Sequence, residues 1–151
     1  MDRETVKEIL APCGLCCETC FAHEKGEIRQ SAEKLREKLG NFGIYAKRFE
    51  TLVGDPVFET YPQFARMLDH LASGGCKGCR QEQCRLFKTC GVRPCHQERG
   101  IDFCFECEDF PCEHTGFDPH LQERWIALNR RIRDIGAEAY AREAVNRPRY
   151  V

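Results

Sequence analysis

Twelve cysteines in 151 residues are the residues of this chain whose type and spacing could do chemistry. They lie in clusters at residues 13–20, 76–95 and 104–112, and C-x-x-C pairs begin at Cys13, Cys17, Cys76 and Cys104. Two residues between cysteines let both sulfurs face one centre from a tight turn. The pattern predicts a metal-binding protein with thiolate ligands, holding either zinc or an iron-sulfur cluster.

The rest of the composition favours reduced, metal-bound thiolates over a disulfide scaffold. The sequence starts Met1-Asp2-Arg3-Glu4 and lacks the basic and apolar regions of a secretory leader. It has no run of about 20 apolar residues that could span a membrane. We therefore expect a cytoplasmic protein with no membrane segment, in the compartment that keeps thiols reduced. A formal net charge of −1 disfavours general nucleic-acid binding without excluding it.

Hydrophobic periodicity predicts helices around the cysteine clusters. Their predicted ranges are 5–10, 27–39, 44–53, 61–72, 118–135 and 137–145. In the third we expect Tyr45, Phe49 and Leu52 to be buried. Residues 76–117 show no sustained period, so metal coordination is expected to replace a hydrophobic core there. The predicted fold class is mainly α, a small helical domain with an irregular cysteine-rich segment stapled by zinc.

The predicted organisation is a single domain over residues 1–151. Its cysteine-rich segment, 76–117, is expected to join the cysteine loop at 13–20, with helical parts at about 27–72 and 118–146. No internal repeat and no low-complexity segment divides the chain.

The cysteine motifs also resemble a known family. Residues 13–20 read Cys-Gly-Leu-Cys-Cys-Glu-Thr-Cys, residues 76–79 read Cys-Lys-Gly-Cys, residues 90–95 read Cys-Gly-Val-Arg-Pro-Cys, and residues 104–112 read Cys-Phe-Glu-Cys-Glu-Asp-Phe-Pro-Cys. In order and spacing they are similar to a bacterial and archaeal family catalogued as domain of unknown function 3795, over roughly residues 10 to 115. That resemblance implies binding of zinc or another thiolate-loving metal. It implies no activity.

The resemblance also implies which thiols are ligands. The family positions are held by Cys13, Cys17, Cys20, Cys76, Cys79, Cys90, Cys95, Cys104, Cys107 and Cys112. Cys16 and Cys84 fall in variable slots and would be spare. Ten ligands do not divide into sets of four, so two zinc sites with spare thiols and three sites that recruit Cys16 and Cys84 both stay open. We favour two.

Short loops suggest one grouping of these ligands. Cys76, Cys79, Cys90 and Cys95 would surround one metal, and Cys104, Cys107 and Cys112 would share a second with a thiol from 13–20. Interleaved partitions remain open as well. Phe110 and Pro111, beside Cys112, are expected to shield a metal from water and to stiffen the turn.

Other residues add weaker signals. His23, His96 and His114 lie near cysteines and could complete a site, although a surface or supporting role is favoured for each. Seven arginines between Arg124 and Arg149 could contact RNA, but interleaved acidic residues favour a salt-bridged helix. We expect the tail, residues 146–151, to be frayed or docked to a partner.

No catalytic constellation is visible, so the sequence favours a non-enzymatic protein. The leading hypothesis is a structural zinc protein that serves as a binding or adaptor module, with another protein as its candidate partner. An iron-sulfur redox or sensor protein is the first alternative, and it rests on the same cysteines, particularly Cys13, Cys17 and Cys20. These three also have the spacing of radical S-adenosylmethionine enzymes, but Thr19 before the third cysteine, the lack of a glycine-rich nucleotide-binding element and the short chain disfavour that class. A nucleic-acid-binding zinc protein is the second alternative.

Overall fold

Seven α-helices form the structure, a computed structural model that describes residues 1–151. They are α1 (Arg3–Ile9), α2 (Glu27–Leu39), α3 (Phe42–Leu52), α4 (Tyr61–Ala72), α5 (Val92–Arg99), α6 (Pro119–Ile135) and α7 (Ala137–Val145). Two short 3₁₀ helices, Pro56–Thr60 and Cys104–Glu106, complete the elements, and there is no β-strand. The mainly α fold class is confirmed. None of the helices is both long and apolar enough to cross a bilayer.

The main core lies where α1, α6 and α7 pack together. Asp118 caps α6 by accepting hydrogen bonds from the backbone N–H groups of His120 (3.0 Å) and Leu121 (3.2 Å). From that start the helix buries one stripe of side chains, Leu121, Trp125, Asn129 and Ile132. Ile132 meets the apolar residues of α1 and α7, among them Val6, Ile9, Tyr140 and Ala141. Helix α6 thus contacts both the main core and the cysteine loops.

Residues 27–72, which we name the arm, form a helical hairpin that buries very little. Helices α2 and α4 meet through Ala32, Leu68 and Ala72, and only four residues of the arm are buried. Tyr45 and Leu52, predicted to be buried, are 51% and 68% exposed. The prediction was wrong because α3 packs mainly on the adjoining 3₁₀ helix and on α4, which leaves much of its apolar face without a neighbour.

The two ends of the arm lie side by side, next to the first cysteine loop. Arg29 fixes this base by donating to the backbone carbonyls of Glu24 (2.6 Å) and Ala72 (3.2 Å). Beyond it, Cys76 N–H donates to the Ala22 carbonyl at 2.8 Å, and Glu24 N–H donates to the Cys76 carbonyl at 2.9 Å. The hairpin therefore brings Cys76 back beside Cys20 in space.

Helix α5 lies inside the segment that the sequence predicted to be irregular, so that part of the prediction was wrong. It starts at Gly91, whose N–H donates to the Thr115 carbonyl at 2.9 Å. A Cβ at Gly91 would lie 2.0 Å from the His114 carbonyl oxygen, so only glycine allows this approach. The helix ends at Gly100, which has a left-handed φ of +64°. Its eight residues are too few to show a helical period.

Candidate metal centres

Two cavities collect eleven of the twelve cysteines. The first cavity has a volume of about 50 Å³ and is lined by seven of them: Cys13, Cys17, Cys20, Cys76, Cys79, Cys84 and Cys90. The second cavity has a volume of about 20 Å³ and is lined by four: Cys95, Cys104, Cys107 and Cys112. All twelve thiols are free, with no disulfide among them. Thiols from distant parts of the chain thus line two common spaces.

This arrangement differs from the grouping that short loops suggested. Cys95 lines the second cavity with Cys104, Cys107 and Cys112, and does not line the first with Cys76, Cys79 and Cys90. The reason is α5, because Cys90 precedes the helix while Cys95 lies within its first turns. Cys13, Cys17 and Cys20 join the 76–90 group, and none of them lines the second cavity.

The two cysteines outside the family positions have different environments. Cys16 is 6% exposed and packs into the main core with Val6, Ile9 and Tyr140, away from both cavities. Cys84 lines the first cavity. A hydrogen bond from the Cys79 thiol lowers the pKa of Cys84 to about 6, and the same contact raises the pKa of Cys79. Cys84 therefore belongs to the first group of thiols, while Cys16 does not.

Backbone N–H groups point at several of the sulfurs in the first cavity. Gly78 N–H donates to Cys76 Sγ and Phe87 N–H donates to Cys84 Sγ, both at 3.4 Å. The first of these turns requires glycine, because Gly78 has a φ of +95°. Such N–H groups stabilise a thiolate in place and would orient it as a metal ligand.

Burial raises the pKa of five of the eleven cavity thiols when no cation is near. It raises the pKa of Cys17 to about 11 and that of Cys104 to about 12. It also raises the pKa of Cys13, Cys76 and Cys90. A divalent cation reverses this effect because coordination deprotonates the thiol. A thiolate-binding metal would therefore convert these protonated thiols into coordinating thiolates.

Four buried side-chain nitrogens lack a hydrogen-bond partner: His23 Nδ1, Arg93 Nε, His96 Nε2 and Trp125 Nε1. His23 lines the first cavity, and His96 and Trp125 line the second. A buried unpaired N–H costs about 1–3 kcal/mol, so their position beside the thiols is informative. The nitrogens of His23, His96 and Trp125 could each donate to a metal-bound thiolate, and those of the histidines could instead bind a metal ion. The Trp125 N–H lies close enough to the Cys104 thiol to lower its pKa against the effect of burial, without forming a hydrogen bond of normal geometry.

The donors line the cavities without converging. No group of three or more His, Cys, Asp or Glu side chains is arranged to hold a single ion. At a zinc-sulfur distance of 2.3 Å, the sulfurs of a tetrahedral site lie about 3.8 Å apart, so side-chain rotation into the cavities is required. The ten family cysteines thus remain a predicted ligand set.

Cationic and aromatic side chains surround the thiols. Arg99 donates to Cys107 Sγ at 3.3 Å, and Arg149 lines the first cavity while donating to the Cys16 carbonyl. Phe110, which the sequence predicted to shield a metal, lines the second cavity and contacts Trp125 edge-on at 4.9 Å between ring centroids.

The carboxy-terminal tail is packed against the first cysteine loop. Arg149 lies beside the buried thiols, and the Tyr150 hydroxyl accepts a hydrogen bond from Phe21 N–H at 3.3 Å. The expected tail, frayed or docked to a partner, does not describe Arg149 and Tyr150, which contact this chain's own first cysteine loop. Sequence spacing gives no signal that a distant arginine returns to that loop. Helices α6 and α7 carry the predicted ion pairs, including Arg131 with Glu143 at 2.8 Å.

Comparisons with known proteins agree with the cysteine pattern. No curated protein and no solved structure matches the chain. Residues 9–117, which include all twelve cysteines and the arm, match the family described as "Protein of unknown function (DUF3795)". Because the match covers more than half of the chain, the protein belongs to this family.

Proposed function

We propose that the protein is a structural zinc-binding protein whose thiolate sites hold the cysteine loops together, and that the arm serves as its binding surface. The observation that carries the proposal is the collection of eleven cysteines around two cavities, each next to an unpartnered buried nitrogen. Few apolar side chains are buried between residues 76 and 117. Metal-ligand bonds would supply the missing stability in such a segment.

Cavity size favours single ions over a cluster. A water molecule needs roughly 10–15 Å³ of such space, so the second cavity, at about 20 Å³, has room for little more than one small particle. The first, at about 50 Å³, has room for a few. A four-iron cluster contains eight heavy atoms and would need the thiols to move apart. Zinc would be tetrahedral and closed in such sites, a structural role.

An iron-sulfur protein is the second candidate, and one observation favours it. Cluster-bound cysteine sulfurs lie farther apart than those around a single zinc ion, and the thiols here do not converge on a single ion position. Four of the seven thiols in the first cavity would be enough for one cluster.

The arm supports a role in binding another protein. Eight of the thirteen exposed large hydrophobic side chains lie between residues 35 and 67: Leu35, Ile44, Tyr45, Leu52, Val53, Val57, Phe64 and Met67. The chain exposes 9499 Å², whereas a compact monomer of its 17.5 kDa mass exposes about 7,900 Å². The excess is larger than the roughly 800 Å² that each partner buries in a standard interface. We propose that a second copy of this chain covers the apolar side of the arm.

Anaerobic purification without added metal tests the metal assignment. Colourless protein with at least two zinc ions per chain by elemental analysis is expected for two closed tetrahedral sites. Brown protein that contains iron and acid-labile sulfide would establish the second candidate instead. Less than one metal ion of any kind per chain would overturn both.

A further inference from the structure

The first cavity needs one more ligand if its seven thiols are to form two complete zinc sites. A closed zinc site takes four donors. The four thiols of the second cavity complete one site, but the seven thiols of the first are one short of two. Cys16, the remaining cysteine, lies in the main core and cannot supply the eighth.

His23 is the side chain placed to supply the eighth donor. Its backbone forms an isolated parallel bridge with Cys76, and its N–H donates to the Cys20 carbonyl at 3.1 Å. The residue is thus fixed between two cysteines of the first cavity. Because these contacts use only the backbone, the imidazole is left free to face the cavity that it lines.

The imidazole of His23 lies against the thiols. Nδ1 is buried and has no hydrogen-bond partner. Nε2 lies 4.0 Å from the point that a Cβ on Gly78 would occupy, and Cys17 Sγ lies 3.8 Å from the same point. A ring nitrogen and a thiol therefore both border the space above a residue that has no side chain. A buried imidazole nitrogen beside thiols is a common zinc ligand.

Electrostatics favour a neutral eighth donor. Seven thiolates and two zinc ions leave a net charge of about −3, and an eighth thiolate would make it about −4. Arg149 lies at the same cavity and offsets part of this charge. A neutral imidazole adds a bond without adding negative charge.

We propose that His23 and the seven cysteines of the first cavity bind two zinc ions, so that the chain holds three in all. The inference rests on the proposed zinc-binding function. It assigns eleven cysteines and one histidine as ligands, with Cys16 alone outside. The competing arrangement has one thiolate bridging two ions, and it needs no histidine.

Direct detection of the bond is the main test and needs no variant. Wild-type protein labelled with ¹⁵N-histidine is loaded with ¹¹³Cd, and one imidazole nitrogen is expected to show scalar coupling to cadmium. His23→Cys, which replaces the nitrogen by a thiolate, should remove the coupling and keep three metal ions. Cadmium-loaded protein whose histidines show no coupling would overturn the assignment.

Metal content provides the second readout. After brief chelation, wild type and the surface variant His120→Ala are expected to retain three zinc ions per chain. His23→Ala is expected to retain about two, and His23→Cys is expected to retain three. Three ions in His23→Ala would support the bridging thiolate and overturn the proposal. Two ions in wild type would overturn the inference but leave the zinc function intact, whereas less than one would overturn both.

Discussion

The fully buried amide of Asn129 donates a hydrogen bond of 2.9 Å to the backbone carbonyl of Cys13. The same side chain accepts a hydrogen bond from Phe105 N–H at 3.1 Å. One residue of α6 therefore holds the loop of the first cavity and the loop of the second cavity in a fixed relation. A polar side chain at zero exposure is stable here because both of its ends are paired.

Replacing Asn129 should loosen both loops at once. In Asn129→Leu the Cys13 carbonyl and the Phe105 N–H lose their partners, and we expect a loss of about 2–4 kcal/mol in the free energy of unfolding. Urea denaturation of zinc-loaded protein measures it. Asn146→Ala removes a hydrogen bond to the Arg142 carbonyl at an exposed position and should change stability by less than about 0.5 kcal/mol. Equal losses in the two variants would contradict the role of Asn129.

Cys84 lines the first cavity, although the family resemblance implied that it is not a ligand. Its removal should lower the metal content. Cys84→Ala removes a thiol that contacts Cys79, and we expect a loss of about one metal ion per chain. Cys16→Ala should keep all metal and lose about 1 kcal/mol of stability from the small space left in the core. Elemental analysis and urea denaturation of the two variants test this. Unchanged metal content in Cys84→Ala would instead support the sequence-based prediction that Cys84 is not a ligand.

Trp125 offers a signal for the second cavity alone. It is the only tryptophan and lines that cavity beside Cys104. Cobalt(II) bound there should quench its fluorescence strongly, because the ion would be in contact with the indole. The quenching should disappear in Cys107→Ala and persist in Cys79→Ala, which changes the first cavity. If Cys79→Ala abolished it and Cys107→Ala did not, the division of thiols between the cavities would be wrong.

The stability of metal-free protein should fall at alkaline pH. Burial raises the pKa of Cys17 to about 11 and that of Cys104 to about 12, from 9.0. Between pH 9 and those values the folded chain keeps protons that the unfolded chain has lost. The contribution of these thiols to the free energy of unfolding is fully present below pH 9. It is lost as pH rises through this window, at about 1.4 kcal/mol per pH unit for each thiol.

Zinc-loaded protein provides the control for this pH dependence. Its thiolates are already deprotonated, so zinc should remove the cysteine part of the slope. Urea denaturation at pH 8, 9 and 10, with zinc and with a chelator, measures both curves. Parallel curves would show that the buried thiols are not the groups that titrate.

The arm should mediate self-association. Leu52→Glu places a charge on a side chain that is 68% exposed, so it should leave the monomer stable and weaken the dimer at least tenfold. Sedimentation velocity over a concentration series measures this, with Arg130→Ala on the exposed side of α6 as control. A wild type that stays monomeric at about 100 μM would exclude a second copy as the partner of the arm.

The sequence by itself determined the helices that have a clear period, and the family to which the chain belongs. Helices α2 and α4 match their predicted ranges, because each has regularly spaced apolar residues and a terminating glycine or Ser-Gly-Gly. The Asp118-Pro119 pair placed the start of α6 correctly, since capping is a local interaction. Clustered C-x-x-C pairs identify the family for the same reason, because their spacing is local.

Only the tertiary structure decided which thiols share a space and which apolar faces have a neighbour. The arm returns Cys76 to Cys20, α5 carries Cys95 away from Cys90, and Arg149 folds back onto the first cavity. Tyr45 and Leu52 are apolar at helical spacing, yet they are exposed because no other element of the chain reaches α3 on that side. Each of these results depends on contacts between residues far apart in sequence, which local spacing does not encode.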